Sequence, residues 1–169
     1  MSAAPTVLRD IEHLYCGSVF PGPQFFEGCE TALCLFSAAW HGRQDAYWIA
    51  KYGMRATCVD LDRGRLDEMR EVYPRDWAFN REDVFVWTQR HQEVGSRWDV
   101  ITLDPFTNLF ERCADMLPTW CELANRVVVL GHGNYRLKEP PAPEGWSQVS
   151  RVRRSDFKGG IYWLVYTRD

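Results

Sequence analysis

Acidic side chains follow three apolar stretches of the sequence that have the character of buried β-strands. They are Asp60, Asp83 and Asp104. An ionised carboxyl group only accepts hydrogen bonds, and its two oxygens suit the paired hydroxyls of a ribose or the N–H groups of a base or an amine. Parallel strands end at one edge of a sheet, and α/β proteins bind ligands just outside that edge. The sequence therefore predicts a ligand site built from these strand ends.

The acidic residues after the second and third predicted strands could bind a ligand or cap the helix that follows. Asp60, with Leu61 beside it, follows the predicted second strand and would bind ribose. Asp62 would instead cap the following helix, because Asp is a favoured N-cap residue. Asp83, followed by Val84, would accept a hydrogen bond from the exocyclic amine of adenine or cap the helix after it. The sequence does not separate these two roles of Asp83.

The segments after the fourth and fifth predicted strands carry groups suited to a second reactant. Asp104 is followed by Pro105, which stiffens the backbone, and by Phe106, whose ring could stack on a flat substrate. The alternative is that Asp104 caps a turn and Phe106 belongs to the core. His132 stands between two glycines, which would leave it mobile and open to solvent. It would then act as a general base or a substrate contact, or be a loop residue without a role.

The loop after the first predicted strand consists mainly of small residues. Small side chains let a backbone turn pass close to a ligand, and the next helix offers its N-terminal amides. A GxGxxG fingerprint is absent, so an ordinary strand–helix turn explains the loop equally well. The candidate ligand contacts in this loop are Ser37, Ala38, Ala39 and Gly42.

Apolar strands alternate with helical segments along most of the chain. The predicted strands are Thr31–Phe36, Arg55–Val59, Trp77–Phe79, Trp98–Leu103, Arg126–Leu130, Trp146–Arg154 and Ile161–Thr167. The predicted helices are Asp45–Lys51, Arg63–Val72, Val84–Val94 and Leu109–Ala124, the last kinked or split at Pro118. Strands that are apolar throughout are buried on both faces. We therefore expect an α/β fold, a Rossmann-like, mostly parallel sheet flanked by helices and ending in an antiparallel β-hairpin.

The length of 169 residues suits one domain of common size. Residues 1–30 are expected to form an N-terminal lead-in, with a short helix over Thr6–Tyr15 and then a loop at the Pro21-Gly22-Pro23 cluster. Residues 31–169 are expected to form the single domain.

The charge balance limits the function classes. The chain has 20 Lys and Arg against 23 Asp and Glu, a net charge of −3, which argues against a surface that grips nucleic acid all over. A local basic cluster on the last hairpin could still meet phosphates, or could be a solvated face. It consists of Arg151, Arg153, Arg154 and Lys158.

The remaining composition indicates a globular protein of the cytoplasm. Apolar residues make up 46% of the chain, which excludes a disordered acidic or basic tail. The longest apolar runs are far shorter than the roughly 20 residues that cross a bilayer, and no export signal is visible. None of the six cysteines forms a CxxC pair, so we expect reduced, mostly buried thiols and no metal site.

Taken together, these residues and the order of elements resemble class I S-adenosylmethionine (SAM)-dependent methyltransferases over roughly residues 31–169. The stretch from Gly42 to Asp62 is similar to the first helix and second strand of that family. The sequence also departs from the family pattern. Ser37 replaces the usual acid of the first motif, Trp40 and His41 occupy part of the glycine-rich stretch, and the fourth motif has a single proline.

The resemblance implies that SAM is the cofactor, that Asp60 holds its ribose and that Asp83 lies by its adenine. Asp104-Pro105-Phe106 matches the motif that is often Asp-Pro-Pro-Tyr/Phe in amino-methylating members. Asp104 and the Pro105 carbonyl would then orient an amine, Phe106 or Tyr135 would stack on the acceptor, and His132 would remove a proton.

Three functions are consistent with these features to different degrees. The first is a SAM-dependent methyltransferase whose acceptor is a nucleobase amine in nucleic acid or a small molecule. The second is a catalytically inactive, methyltransferase-like binding module that acts through a partner. The third, a nicotinamide-dependent oxidoreductase, is disfavoured by the missing GxGxxG and by the terminal hairpin.

Overall fold

The computed structural model describes residues 19–37, 43–132, 137–154 and 162–169, with the backbone alone at 43 and 44. Several predictions fall outside this part of the chain. They concern the helix over Thr6–Tyr15 and the residues Ala38, Ala39, Gly42, Tyr135 and Lys158.

Within the described residues, seven strands form one mixed sheet in the order β3-β2-β1-β4-β5-β7-β6. The first five pair in parallel, β7 is antiparallel to β5, and β6 is antiparallel to β7. This topology confirms the predicted α/β fold with its terminal hairpin. The strands are β1 (Thr31–Leu35), β2 (Arg55–Asp60), β3 (Ala78–Arg81), β4 (Trp98–Leu103), β5 (Ala124–His132), β6 (Trp146–Arg153) and β7 (Tyr162–Arg168).

Five helices and one 3-10 turn flank the described strands. The predicted helix over Leu109–Ala124 is two helices, and Pro118 lies in the first turn of the second, where its missing N–H has no helical partner to lose. The helices are α1 (Arg43–Lys51), α2 (Arg63–Val72), α3 (Val84–Glu93), α4 (Thr107–Asp115) and α5 (Leu117–Leu123), and the 3-10 turn is Pro23–Phe26.

Two aspartates are the N-cap residues of helices, a position at which Asp is favoured. Asp62 caps α2 by accepting the backbone N–H of Arg65 at 3.1 Å. Asp83 caps α3 by accepting the N–H groups of Phe85 and Val86 at 2.9 and 3.0 Å. The capping interpretation is therefore confirmed for both residues.

The core lies on both faces of the sheet, as apolar strands require. Helices α1 and α2 cover one face and α3, α4 and α5 cover the other. The described part of the lead-in packs on the α1 face, where Phe20 and Phe26 are buried and the Phe20 ring lies 5.1 Å from the Trp163 ring.

An irregularity in the hairpin explains an uneven sequence pattern. Trp146 and Val152 are out of strict alternation with Val149, and the β6–β7 register shifts between Gln148 and Ser150. Val149 is the additional residue and is exposed, while Trp146 is buried. A bulge therefore keeps both ends of β6 in register with β7.

The described cysteines are free thiols, and four of the five are buried. No described helix has the length and apolar character that crossing a membrane requires. Within the same residues, no cluster of three or more His, Cys, Asp and Glu side chains could hold a metal ion.

Candidate functional site

The parallel strands bring the predicted site residues to one edge of the sheet. Asp60 ends β2 and His132 ends β5, while Ser37, Asp83 and Asp104 lie one or two residues beyond β1, β3 and β4. The strand order reverses between β1 and β4, which is where α/β sheets open a crevice for ligands. The side chains at this edge differ in burial and in the face of the sheet on which they lie.

The turn after β1 combines backbone strain with an unpaired hydroxyl. Phe36 has φ 58°, in the left-handed region that bulky residues rarely adopt, while its N–H bonds the Val59 carbonyl at 3.0 Å. Ser37 is fully buried, and its Oγ has no hydrogen-bond partner within the described chain. Strain and an orphaned polar atom each destabilise the protein, and they concentrate at ligand sites.

Asp60 is held in a fixed orientation at the end of β2. Its Oδ1 accepts the backbone N–H of Asp62 at 2.9 Å, and its carbonyl accepts the N–H of Glu82 at 3.1 Å. The neighbouring Leu61 is 60% exposed, an apolar surface beside a half-buried carboxylate. This pair offers acceptor oxygens and an apolar contact to the same ligand.

Asp83 borders a cavity of about 430 Å³ between α3 and α4. Both of its capping bonds use Oδ1. The cavity wall includes Phe85 and Arg112, whose guanidinium carbon lies 3.5 Å from the centre of the Phe85 ring. Val84 is buried behind them in the core. The cap and a contact to a ligand therefore remain compatible at Asp83.

Asp104 is bound by Arg154, one of the four basic residues that were expected either to meet phosphates or to form a solvated face of the last hairpin. The guanidinium Nη1 and Nη2 donate to Oδ1 and Oδ2 at 2.6 and 2.8 Å, and both side chains are about 95% buried. The guanidinium carbon of Arg154 also lies 3.8 Å from the centre of the Trp163 ring. The expectation that Arg154 meets phosphates is wrong, because its guanidinium is buried and paired inside the protein.

The Arg154 side chain passes over β7 and β5 to reach the end of β4. A Cβ added at Gly131 of β5 would lie 2.7 Å from Asp104 Oδ1 and 2.9 Å from Arg154 Nη1. Gly131 therefore allows this close approach and is not the source of loop mobility that its place beside His132 had led us to expect. Its place is inside β5, opposite Trp163.

The other members of the basic cluster give little support to a phosphate site. Arg151 pairs with Glu139 at 2.8 Å and lies 3.9 Å from the Tyr162 ring. Arg153 is exposed. Nucleic-acid binding through the four residues together is therefore unsupported.

Asp45 is a buried carboxyl group that the sequence analysis did not single out. It lies in the first turn of α1 and is fully buried, with Oδ1 accepting the N–H of Ala46 at 2.8 Å and Oδ2 accepting the hydroxyl of Thr102 at 2.6 Å. Its position four residues before the buried Ile49 places it on the apolar face of α1. This helical spacing from Ile49 was the one feature of the sequence that could have indicated the burial of Asp45.

Burial and the nearby Asp104 carboxylate raise the pKa of Asp45 to about 8, against the opposing effects of its two hydrogen bonds and of Arg154. Asp45 is therefore mostly protonated at neutral pH. Thr102 and Asp104 are two residues apart at the end of β4 and lie on one face of the sheet. Asp45, Asp104 and Arg154 thus form one buried cluster on the α1 face.

His132 lies on the opposite face of the sheet, and the expected open, mobile position is wrong. It is 1% exposed, its Nε2 lies 2.8 Å from the Leu137 carbonyl oxygen, and its ring centre is 4.5 Å from that of Phe110. A carbonyl accepts, so Nε2 carries the proton. The structure therefore does not bring His132 together with Asp104.

The remaining predicted acceptor contact is at the surface. Phe106 is 57% exposed immediately before α4, so it is not part of the core, while Pro105 is buried. The ring is available for stacking at the same strand edge.

Comparison with solved structures identifies this architecture. No family model matches the chain, and no curated protein matches it in sequence. An O-methyltransferase from Bacillus cereus in complex with SAH superposes with a TM-score of 0.67 and 11% identity, over 100% of this chain and 93% of that one. The chain has the class I methyltransferase fold. Identity at this level shows the fold alone.

Two further structures with the class I methyltransferase fold differ in length. Magnesium protoporphyrin IX methyltransferase from Synechocystis, with bound SAM, gives a TM-score of 0.57 and 16% identity over 84% of this chain and 71% of its own. A Streptococcus mutans protein assigned to the SAM-dependent methyltransferases gives 0.64 and 13% over 85% of this chain. The present chain spans 46% of that protein's length.

The reversed strand distinguishes this fold from the dinucleotide-binding sheet. In that sheet the order is 3-2-1-4-5-6, without a reversed strand between the fifth and the last. Here β7 lies between β5 and β6 and is antiparallel to both. The topology therefore counts against the nicotinamide-dependent alternative.

Proposed function

We propose that the chain binds SAM at the ends of β1, β2 and β3 and transfers its methyl group to a small, flat acceptor. One observation carries the cofactor assignment: the neighbouring strands β1 and β2 both end in polar groups prepared for a ligand. Ser37 offers a buried hydroxyl without a described partner, and Asp60 offers a carboxylate fixed by the Asp62 amide. Both groups would gain partners from a bound ribose and its substituents.

The residues at this edge fit the parts of SAM. Asp60 would accept the ribose hydroxyls and Leu61 would pack beside them, while Asp83 and Val84 would meet the adenine. Ser37 would bind next to the backbone of the first loop, where Ala38, Ala39 and Gly42 are further proposed contacts. When bound, SAM supplies a methyl group that is already activated by its positive sulfur.

The acceptor side of the proposed site is shaped by Asp104 and Phe106. Because Arg154 occupies both carboxylate oxygens of Asp104, we propose that Asp104 shapes the site and does not itself orient an incoming amine. The exposed Phe106 ring would stack on a flat acceptor, and the Pro105 carbonyl remains a proposed hydrogen-bond acceptor. His132, on the other face, has no part in this proposal.

Small molecules are the favoured acceptor class because the basic cluster is largely engaged within the protein. Arg154 is buried against Asp104 and Arg151 is paired with Glu139. A site that gripped a nucleic-acid backbone would need exposed cations that are able to reach phosphates. A compact aromatic acceptor needs only a stacking surface and a small number of polar contacts.

Calorimetry with SAM and SAH tests the cofactor assignment. The wild-type protein should bind both, and Asp60→Asn and Ser37→Ala should weaken binding, the former by about tenfold or more because a charge-assisted acceptor is lost. Asp67→Asn, a surface change on α2, is the matched control and should bind normally. Absence of binding to either ligand at millimolar concentration would refute the proposed function.

Transfer of a labelled methyl group tests the acceptor. Flat heteroaromatic and phenolic small molecules would be assayed beside single-stranded and duplex DNA and RNA. Labelled small molecules are expected. Labelled nucleic acid would contradict the proposed acceptor class, and binding of SAM without transfer to any of them would support the alternative of an inactive binding module.

A further inference from the structure

The buried cluster at the carboxyl edge of β4 has an unbalanced set of charges. Among the described side chains it contains two carboxyl groups, Asp45 and Asp104, and one cation, Arg154. All three lie on the α1 face, next to the point where the strand order reverses between β1 and β4. Buried charges are strongly disfavoured unless they are paired, so the unpaired carboxyl group requires an explanation.

The hydrogen bonds show which carboxyl group is the unpaired one. Both guanidinium nitrogens that face Asp104 donate to it, at 2.6 and 2.8 Å. Within the described part of the chain Asp45 receives only neutral donors, the Thr102 hydroxyl and the Ala46 amide, at 2.6 and 2.8 Å. A carboxyl group in this setting stays neutral by holding a proton, until a positive charge arrives that can balance its ionised form.

The described groups that face Asp45 from neighbouring elements do not supply that charge. Asp104 on the β4 side raises the pKa of Asp45, and Arg154 only partly offsets it. On β1, a hydrogen bond with Cys58 and burial raise the pKa of the Cys34 thiol well above its usual value, so Cys34 is neutral. Because no described side chain balances an ionised Asp45 at this ligand-binding edge, the geometry points to a cationic ligand.

We propose that Asp45 is the charge-balancing residue of the ligand site, and that binding of a sulfonium cation at the strand edge releases the Asp45 proton to the buffer. The O–H bond of the Asp45 carboxyl group breaks, the ionised carboxylate stays in place between Thr102 and Ala46, and the ligand's positive charge balances it. This inference rests on the proposed function and adds to it a means of discriminating between two ligands. It favours SAM over the product SAH, because the sulfur of SAH is an uncharged thioether.

SAM and SAH therefore form a matched pair of probes. Proton release is measured by calorimetry near pH 7 in two buffers that differ in ionisation enthalpy. SAM binding to the wild-type protein is expected to release about half a proton or more, and SAH binding almost none. The ratio of SAM affinity to SAH affinity should rise with pH from about 6 to about 7.5, by up to about tenfold per pH unit.

Variants assign the effect to Asp45. Asp45→Asn keeps the shape of the protonated carboxyl group and should abolish both the SAM-specific proton release and the pH dependence of the affinity ratio. SAH affinity should change less than about threefold, because no charge is needed there. Asp67→Asn is the control, since Asp67 is an exposed carboxylate on α2, and it should behave as the wild type.

Thr102→Val provides a second, independent variant. Removal of the hydroxyl takes away a hydrogen-bond donor that favours the ionised form of Asp45. Proton release on SAM binding should therefore begin at higher pH and be smaller near pH 7. Equal proton release with SAM and SAH, or an unchanged release in Asp45→Asn, would overturn the inference while leaving the cofactor assignment intact. Absence of binding to both ligands would instead refute the proposed function and the inference with it.

Discussion

Arg154 binds both carboxylate oxygens of Asp104, fifty residues earlier in the chain, through one hydrogen bond from each terminal guanidinium nitrogen. The pair is buried, and the guanidinium lies on the Trp163 ring. It connects the end of β4 to the end of β6 across the two strands between them. The carboxylate after β4 is thus held from inside the protein before any acceptor enters.

Removal of one partner of this pair should strongly destabilise the protein. Arg154→Met leaves the Asp104 carboxylate buried without a cation, and we expect a loss of about 3–5 kcal/mol in the free energy of unfolding, measured in urea. Arg154→Lys should recover only part of this, because an ammonium cannot bind both oxygens in parallel.

The double variant Arg154→Met/Asp104→Leu distinguishes the pair from simple packing. It removes both charges and should be more stable than Arg154→Met alone. Arg70→Ala breaks an exposed pair with Asp67 on α2 and is the control, with an expected loss below about 1 kcal/mol. A loss that small for Arg154→Met would contradict the structural role of the pair.

Gly131→Ala should destabilise the protein through a clash at the same pair. The new methyl group would lie 2.7 Å from Asp104 Oδ1 and 3.2 Å from the backbone oxygen of Leu103, and the latter cannot move freely. We expect a loss of about 1–3 kcal/mol in urea denaturation. Gly64→Ala in α2 meets nothing closer than 3.7 Å and should be neutral or slightly stabilising. Similar effects of the two changes would show that the space at Gly131 is not required.

The fold could be predicted from the sequence because it depends on the spacing of apolar residues within each strand and helix. Runs such as Trp98–Leu103 are mostly apolar, and Arg63–Val72 repeats its apolar residues at helical spacing, so both elements have the predicted bounds. Each prediction needed only residues within one element and the rule that buried parallel strands alternate with helices. Asp62 as a cap is likewise a local property.

The buried cluster was not accessible because its partners are distant in sequence. Arg154 stands among other basic residues, and only the antiparallel pairing of β6 with β7 turns it inward toward Asp104. The bond between Asp45 and Thr102 joins residues 57 positions apart. His132 was misplaced for a related reason, since β5 extends through it and the chain returns to cover it with Leu137.

The pH dependence of stability should reveal the Asp45 proton. In the unfolded chain Asp45 loses its proton near pH 4, while the folded protein keeps it up to about pH 8. Between these values the folded state holds one proton more, so this residue lowers stability as pH rises, by up to about 1.4 kcal/mol per pH unit. Asp45→Asn removes that slope, and its unfolding free energy should gain on the wild type between pH 5 and pH 8. If the unfolding free energies of the wild type and Asp45→Asn, measured in urea, changed with pH in the same way, Asp45 would not be the group that holds this proton.

Ser37→Ala should make the free protein more stable while weakening its ligand binding. The Ser37 hydroxyl is buried without a described partner, so its removal relieves a desolvation penalty of about 1 kcal/mol or more. The same hydroxyl is proposed to bind SAM, so calorimetry should show a lower affinity for SAM and SAH.

Thr88→Val is the matched control, because that buried hydroxyl donates to the Val84 carbonyl at 2.7 Å and its loss should not stabilise the protein. A Ser37→Ala variant that is more stable but binds SAM more weakly would indicate that the hydroxyl serves ligand binding. A variant that is less stable and binds SAM with unchanged affinity would place Ser37 outside the site.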